Sequence, residues 1–175
     1  DELGVDKNTS TPEDTSINDT PTLSFGPREA QALESEEQNS EKPGKVAYLT
    51  FDDGPSKEVT LPILDITDQY QIKVTFFVVG KQAEKHPEIV QQALIEGHTI
   101  GNHSYSHQYR EVYRTADTLL TEITICGDIL GEIIGYNPKI FRPPGGSIPF
   151  LKEHHIDRLT EKGYIYYDWN VCPGD

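Results

Sequence analysis

Three short groups of polar residues have the side-chain types and the spacing that hydrolytic chemistry requires. They are TFDDGP at residues 50–55, HSYSH at residues 103–107 and RPPGG at residues 142–146. Two imidazoles and one carboxylate occupy three positions around a divalent ion and leave others open for water and substrate, as in a catalytic metal site. Together, the three groups predict the parts of a metallohydrolase.

Individual residues can be given roles on chemical grounds. Asp53, His103 and His107 match the ligand count of such a site. The adjacent Asp52 would point elsewhere, so it could face the attacking water as general base, with Arg142 as its orienting partner. A bound ion would polarise an acyl carbonyl and make a water more acidic.

Each group also has a plainer interpretation when it is taken alone. Asp-Asp-Gly-Pro is common turn chemistry, two histidines four residues apart are often only solvated, and Arg-Pro-Pro-Gly-Gly can be a rigid loop. The metal-site interpretation depends on their coincidence at the ends of predicted strands. Within the third group, the backbone N–H of Gly145 is a candidate donor to a developing oxyanion.

Strands and helices alternate from residue 45 onward and must position these groups. Apolar runs predict strands at residues 45–51, 74–79, 99–102, 139–141 and 164–167. Amphipathic patterns predict helices at residues 57–70, 81–96, 115–134 and 150–162. This order predicts an α/β fold with parallel strands, a barrel or a barrel fragment. The polar groups follow strands directly, which is where parallel barrels carry their chemistry.

Length, composition and charge limit the class of protein. The chain has 175 residues, 35% of them hydrophobic, and a formal net charge of -14. This is enough apolar material for one core. The charge argues against a nucleic acid as partner, because binding phosphates requires clustered Lys and Arg. No apolar run approaches the roughly 20 residues that span a bilayer, so we expect no transmembrane segment, and we expect a monomer.

Residues 1–44 differ in composition from the rest. They contain eleven acidic and three basic side chains, a net of -8, with few large apolar residues. Such a segment cannot bury enough surface to offset the entropy of ordering it. We predict an acidic, disordered linker at residues 1–44 and one folded catalytic domain at residues 45–175.

The three motifs, in this order and spacing, resemble the polysaccharide deacetylase family, which is the NodB-homology family or carbohydrate esterase family 4. The resemblance extends over residues 45–175. It implies a distorted (β/α) barrel, typically of fewer than eight strands. It also implies metal-dependent hydrolysis of N-acetyl groups from an N-acetylglucosamine polymer such as peptidoglycan or chitin. Zn²⁺ is the expected ion, with Co²⁺ or Ni²⁺ as alternatives, and the expected location is extracellular or at the cell surface.

By the same resemblance, Asp52 is the catalytic base, secured by Arg142, and Asp53 binds the metal with His103 and His107. Three further residues are predicted to border the substrate or the oxyanion: Tyr105, Pro144 and Gly145. Residues 169–175 resemble the fourth motif of the family, with Asp175 in the position that orients a catalytic histidine.

The chain departs from the family pattern at two places. Gly145 stands where the family often has an aromatic or other side chain, which removes a wall of the sugar groove. The fifth motif, whose histidine is the expected general acid, would follow Asp175, so we expect a truncated chain with poor turnover. The other four histidines are predicted to be solvated or to cap helices: His86, His98, His154 and His155.

Several alternatives stay open at this point. The substrate could instead be O-acetylated xylan, or the chain could be a carbohydrate-binding relative without catalysis. The intact Asp52 and Arg142 favour an enzyme, since a pure binder does not need an oriented base. Cys126 and Cys172 could form a disulfide or be two buried thiols.

Overall fold

The computed structural model describes residues 45–172 of the chain. Predictions for residues 1–44 and for Asp175 therefore lie outside the described residues. No helix between residues 45 and 172 is long and apolar enough to cross a membrane.

A parallel sheet forms the centre of the described part. Its five strands are hydrogen-bonded in the order β1-β2-β3-β4-β5, and each neighbouring pair is parallel. The strands are β1 (Thr50–Phe51), β2 (Thr75–Val78), β3 (Thr99–Asn102), β4 (Ile140–Phe141) and β5 (Ile165–Tyr166). A sheet whose parallel strands follow sequence order is the arrangement of a (β/α) barrel, so the predicted fold class is confirmed.

Six helices lie in the connections between these strands. They are α1 (Thr60–Gln69), α2 (Gly80–Lys85), α3 (Pro87–Ile95), α4 (Tyr109–Val112), α5 (Ala116–Ile134) and α6 (Glu153–Glu161). Helix α1 joins β1 to β2, α2 and α3 join β2 to β3, α4 and α5 join β3 to β4, and α6 joins β4 to β5. Each crossover thus returns the chain to the same edge of the sheet, as parallel pairing requires.

The longest helix, α5, has clear signals at both ends. Thr115 and Thr118 form a capping box, in which each side chain bonds the backbone N–H of the other. Gly135 ends the helix with φ of 84°, a left-handed conformation that glycine adopts without a steric penalty. The buried face of α5 carries Leu119, Ile123, Cys126, Gly127, Leu130 and Ile134. This helix contributes to both hydrophobic clusters of the core.

The predicted helix at residues 81–96 is wrong as a single element. The structure divides it into α2 and α3 at His86, whose φ and ψ are -136° and 53°. Pro87 is the reason, because a residue before proline is disfavoured in the helical region. Pro87 instead begins α3, where its missing N–H costs nothing.

Two smaller differences concern the edges of the predicted elements. Strand β1 has two residues instead of the predicted seven, and Val46 and Tyr48 before it are exposed. Helix α4, directly after the HSYSH motif, was not predicted because four residues are too short for a periodic pattern.

Candidate active site

The register of the sheet places the second and third motifs side by side. Phe141 of β4 is level with Asn102 of β3, so the residues that follow them, Arg142 and His103, leave the sheet as neighbours. The Arg142 N–H donates to the Asn102 carbonyl at 2.9 Å, which extends the ladder by one bond. Both Arg142 and His103 are buried.

One contact determines which nitrogen of His103 faces the site. Its Nδ1 lies 2.7 Å from the carbonyl oxygen of Arg142. A carbonyl can only accept, so Nδ1 carries the hydrogen and the lone pair of Nε2 is directed away from the sheet. That nitrogen lies 3.3 Å from Oδ1 of Asp53.

Asp53, His103 and His107 form a compact cluster of metal-ligand atoms. Nε2 of His107 lies 3.0 Å from the same Asp53 Oδ1, and the ligand atoms of all three residues lie within 4.8 Å of one another. A lone pair of His103 and a carboxylate oxygen, two acceptors, face each other across this space. A divalent cation bound there would satisfy both acceptors, so the donor set fits the predicted ion.

The electrostatics of the cluster favour an anionic Asp53. The ring nitrogens of His103 and then of His107, close to the carboxylate, hold the pKa of the Asp53 carboxyl below its ordinary value, against the opposing effect of burial. Asp53 and His107 both have positive φ, 70° and 58°, which is uncommon for residues with a Cβ. Such conformations persist where the surroundings enforce them, and they are common at functional sites.

Two side chains hold the loop that carries the histidines. The carboxylate of Glu122, on α5, accepts from the backbone N–H groups of Tyr105 at 3.1 Å and Ser106 at 2.7 Å. Asn102, fully buried, accepts from the Ser104 N–H at 2.9 Å and donates to a carbonyl of α5 at 2.8 Å. The loop is therefore anchored to α5.

Arg142 and Asp52 form an ion pair beside the cluster. Nη1 of Arg142 donates to Oδ1 of Asp52 at 3.0 Å and also to the Thr50 hydroxyl. The guanidinium carbon lies 4.2 Å from the centre of the Phe77 ring, a cation–π arrangement. Phe77 occupies that place because Gly101 on the next strand has no side chain; a Cβ there would lie 2.5 Å from the ring.

Arg142 also connects the site to the segment after β5. Its Nε donates to the Tyr167 carbonyl at 3.1 Å, and Nη2 donates to the Asp168 carbonyl at 3.2 Å. The Asp168 carboxylate accepts from the backbone N–H of Ser147 at 2.8 Å and from its hydroxyl at 2.5 Å. Asp168 thus holds the loop of the third motif in place.

The structure does not bring every predicted residue to the cluster. Gly145 is exposed on its loop, and the Pro144 carbonyl accepts from the Tyr113 hydroxyl at 2.8 Å. The Tyr105 hydroxyl donates to Glu84 on α2 at 3.2 Å, so this side chain is directed to α2 and its contacts give no support to a substrate role.

Sequence reasoning missed Asp168, Glu122 and Tyr113. Asp168 directly follows a predicted strand, so the strand-end rule that found the three motifs could have found it too. Glu122 and Tyr113 act through backbone groups of distant loops. No pattern in the sequence indicates such contacts.

The structure gives different outcomes for two of the other four histidines. His98 is buried, although it was expected to be solvated or to cap a helix, whereas His155, also buried, has the capping role expected of it. His98 packs edge-on against the Phe76 ring, with centroids 5.4 Å apart, and His155 caps the start of α6 by accepting from the Lys152 N–H at 3.1 Å. His154 is exposed, as expected.

Cys126 is a buried free thiol, whose Sγ lies 3.5 Å from the Val78 carbonyl. Burial raises the pKa of this thiol to about 12, so it is chemically inert near neutral pH. Because Cys126 is a free thiol, it forms no disulfide with Cys172, and because Cys172 is exposed, the two are not a pair of buried thiols.

An open cleft of about 600 Å³ adjoins the ion pair and the cluster. Its lining includes Thr50, Asp52, Asp53, Arg142 and Trp169. This volume is within the range of binding sites for small molecules. The site can therefore hold a cation, an oriented carboxylate and an organic substrate together.

Comparison with known proteins gives the class to which this fold and site belong. The family model described as polysaccharide deacetylase matches residues 39–166. The chain belongs to the polysaccharide deacetylase family. A peptidoglycan-N-acetylglucosamine deacetylase from Bacillus cereus is 38% identical over 130 residues, which cover 74% of this chain and 47% of that protein. The chain thus spans about half the length of this relative.

Solved structures agree with this assignment. The polysaccharide deacetylase Bc1974 from Bacillus cereus has a TM-score of 0.69 at 38% identity, with 73% of this chain and 61% of that chain covered. A family 4 carbohydrate esterase from Streptomyces lividans, in complex with acetate, has a TM-score of 0.66 at 28% identity, with 73% and 64% covered.

Proposed function

We propose that this chain is the catalytic part of a metal-dependent deacetylase that hydrolyses N-acetyl groups on N-acetylglucosamine residues of peptidoglycan. The observation that carries the proposal is the Asp53–His103–His107 cluster with the Arg142–Asp52 ion pair beside it. A carbohydrate-binding relative without catalysis would have no use for an oriented carboxylate next to a metal site, so the pair favours an enzyme.

Asp52 is the residue that accepts the proton of the attacking water. Its Oδ1 is occupied by the Arg142 guanidinium, so Oδ2 is the oxygen that receives the proton. Arg142 is itself fixed by the Tyr167 and Asp168 carbonyls, so it holds Asp52 in one orientation. This arrangement removes the need to order the base during the reaction.

Asp53, His103 and His107 would hold the divalent ion, and their two nitrogens and one oxygen suit Zn²⁺, with Co²⁺ or Ni²⁺ as alternatives. When bound, the ion supplies Lewis-acid polarisation of the acetyl carbonyl and lowers the pKa of the nucleophilic water. The Gly145 N–H is the proposed donor to the oxyanion. The leaving amine needs a proton, which the resemblance assigns to a histidine of the fifth motif of the family, with Asp175 orienting it.

The names of the relatives support peptidoglycan as the substrate. A second Bacillus cereus relative with the same name is 42% identical over 123 residues, and a peptidoglycan-N-acetylmuramic acid deacetylase of Bacillus subtilis is 41% identical over 104 residues. The Xyl-CE4 domain of a xylanase is less similar, at 29% identity. We therefore favour peptidoglycan over xylan, and a location at the cell wall, outside the cell.

We further propose that residues 1–44 are a linker and that residues 45–175 belong to the catalytic domain. The linker has a net charge of -8 and lacks a core-forming pattern. Deleting residues 1–40 should leave the melting temperature and the rate of acetate release unchanged. A fall of many degrees would show that the segment packs against the domain.

The decisive experiment measures acetate release from peptidoglycan, from N-acetylglucosamine oligomers and from acetylated xylan, using the full-length protein with and without added metal. Chelation should abolish release, and Zn²⁺ should restore it. Asp52→Asn keeps the size of the side chain but removes the proton acceptor, so hydrolysis should fall by about a hundredfold or more while metal content stays unchanged. Acetate release only from acetylated xylan would contradict the proposal and favour the esterase alternative.

A further inference from the structure

The space beside Gly145 is already occupied by aromatic side chains from elsewhere in the chain. A Cβ built on Gly145 would lie 2.9 Å from Cε2 of Phe150 and 3.0 Å from both Cε2 and Oη of Tyr109. The φ of Gly145 is 76°, a left-handed value that disfavours any residue with a Cβ. Two separate features therefore exclude a larger residue at position 145. The aromatic atoms beside it leave no room for a side chain, and the left-handed backbone disfavours one.

Tyr109 lies between this glycine and the metal cluster. It is the first residue of α4, two positions after His107. Its ring is in edge contact with the His107 ring, with centroids 5.5 Å apart, and 41% of its surface is exposed. An exposed aromatic ring thus stands next to one metal-ligand candidate and next to the proposed oxyanion donor.

Neighbouring rings keep Tyr109 in position. Phe150 packs edge-on against it, with centroids 5.1 Å apart, and Tyr113 does the same at 6.4 Å. Tyr113 and Phe150 stack on each other at 4.9 Å, and the Tyr113 hydroxyl is anchored to the Pro144 carbonyl at 2.8 Å. A ring fixed in this way loses little entropy when a ligand packs on it.

We propose that Tyr109 forms the aromatic wall of the sugar groove and packs against the apolar face of the N-acetylglucosamine ring whose acetyl group is removed. The ring of a tyrosine offers a large apolar surface and a polar hydroxyl, which suits a pyranose with one apolar face and a polar rim. Tyr109 would thereby replace a side chain that position 145 cannot carry. This inference rests on the proposed function for the identity of the sugar.

The test separates contact with the sugar from contact with the acetyl group. Tyr109→Leu keeps apolar bulk against Phe150 but removes the aromatic face, and Tyr109→Phe keeps the ring. In the full-length, metal-loaded protein, Tyr109→Leu should raise KM for an N-acetylglucosamine pentamer about tenfold, whereas Tyr109→Phe should stay within about threefold of wild type. Hydrolysis of 4-nitrophenyl acetate, which has no sugar ring, should change less than about twofold in both variants.

Tyr136→Ala is the matched control, because Tyr136 is an equally exposed tyrosine beyond the far end of α5. It should leave both substrates unaffected. An unchanged KM for the pentamer in Tyr109→Leu would overturn the inference, as would an equal loss with 4-nitrophenyl acetate, which would indicate general damage to the site.

A binding measurement distinguishes failure of this inference from failure of the proposed function. Calorimetric titration of the pentamer into Asp52→Asn protein should give an affinity that Tyr109→Leu weakens about tenfold. If wild type binds the pentamer through Tyr109 but releases no acetate, the proposed function fails while the contact between Tyr109 and the sugar stands. If wild type releases acetate and Tyr109→Leu binds equally well, the inference alone fails. If Asp52→Asn protein does not bind the pentamer, the inference is overturned.

Discussion

Strand β3 is flanked by two buried histidines, His98 before it and His103 after it. They differ in the hydrogen-bond partners that the protein offers to their ring nitrogens. Their side chains are 1% and 3% exposed, so burial does not distinguish them. The difference lies in what their ring nitrogens contact.

Both nitrogens of His98 have protein partners. The Thr67 hydroxyl donates its hydrogen to the Leu64 carbonyl at 2.9 Å, so it must accept from Nε2–H of His98 at 3.2 Å. Nδ1 of His98 then accepts from the Val74 N–H at 3.3 Å. This ring is a neutral connector between α1 and the start of β2, and it has no lone pair left for a ligand.

His103 has only one nitrogen engaged in this way. Nδ1 donates to a backbone carbonyl, and Nε2 faces the carboxylate of Asp53 and the nearby His107. The comparison shows that a lone pair directed at other potential ligands, and not burial, makes a histidine a candidate for metal binding. The N-terminal edge of the sheet thus carries a structural histidine and the C-terminal edge a ligand candidate, as expected for parallel barrels.

The largest expected effect is at the C-terminal edge. His103→Ala removes one of three ligands, so metal content and deacetylation should fall together, with activity lower by about a thousandfold or more. Metal analysis of the dialysed protein and acetate release measure the two quantities. Stoichiometric metal in the His103→Ala protein would show that the ligands have been assigned incorrectly.

Much of this comparison could be predicted from the sequence, but not all of it. His103 belongs to a motif that follows a strand, and such motifs converge because parallel strands end at one edge. His98 has its partners on other elements, and Thr67 is 31 residues away, so a short sequence window contains no sign of its burial. The same limit explains Tyr109, whose place beside Gly145 depends on the packing of α4.

The next effect concerns the loop that carries His107. Glu122→Ala leaves the backbone N–H groups of Tyr105 and Ser106 without their acceptor, so the loop should lose its fixed position. Metal affinity should fall by about ten- to a hundredfold, as for other groups that orient ligands. Glu132→Ala, at an exposed position of the same helix, is the control and should bind metal like wild type. Equal affinity in both variants would mean that the ligands are held without Glu122.

At the N-terminal edge the expected effect is on stability alone. His98→Ala breaks two buried hydrogen bonds and leaves a small cavity, so the free energy of unfolding should decrease by about 2 kcal/mol. Urea denaturation measures this, and metal stoichiometry should stay at the wild-type value. His154→Ala removes an exposed ring and should change stability by less than about 0.5 kcal/mol. Loss of metal in the His98→Ala protein would contradict the distinction between the two histidines.

The smallest effect is a pH dependence of stability that His98 should produce. Burial lowers the pKa of His98 below 6.5, the ammonium of Lys73 lowers it further, and Glu96 opposes them. Below about pH 6.5 the unfolded chain takes up a proton that the folded ring refuses, since a second ring hydrogen would meet the Val74 N–H. The stabilisation is therefore complete above pH 6.5 and is lost as the pH falls towards the pKa of the folded state.

His98→Gln lacks this group, so the difference in unfolding free energy between wild type and variant should shrink between pH 7.5 and pH 5.5. Urea denaturation of both proteins across this range measures it. Groups that titrate identically in the two proteins contribute equally to both unfolding free energies and cancel in the difference. The pH-dependent change in this difference should be smaller than the whole loss of stability expected for His98→Ala. A difference that is constant with pH would show that His98 takes up a proton equally well in both states. Its hydrogen bonds to Thr67 and Val74 would then not require the neutral ring.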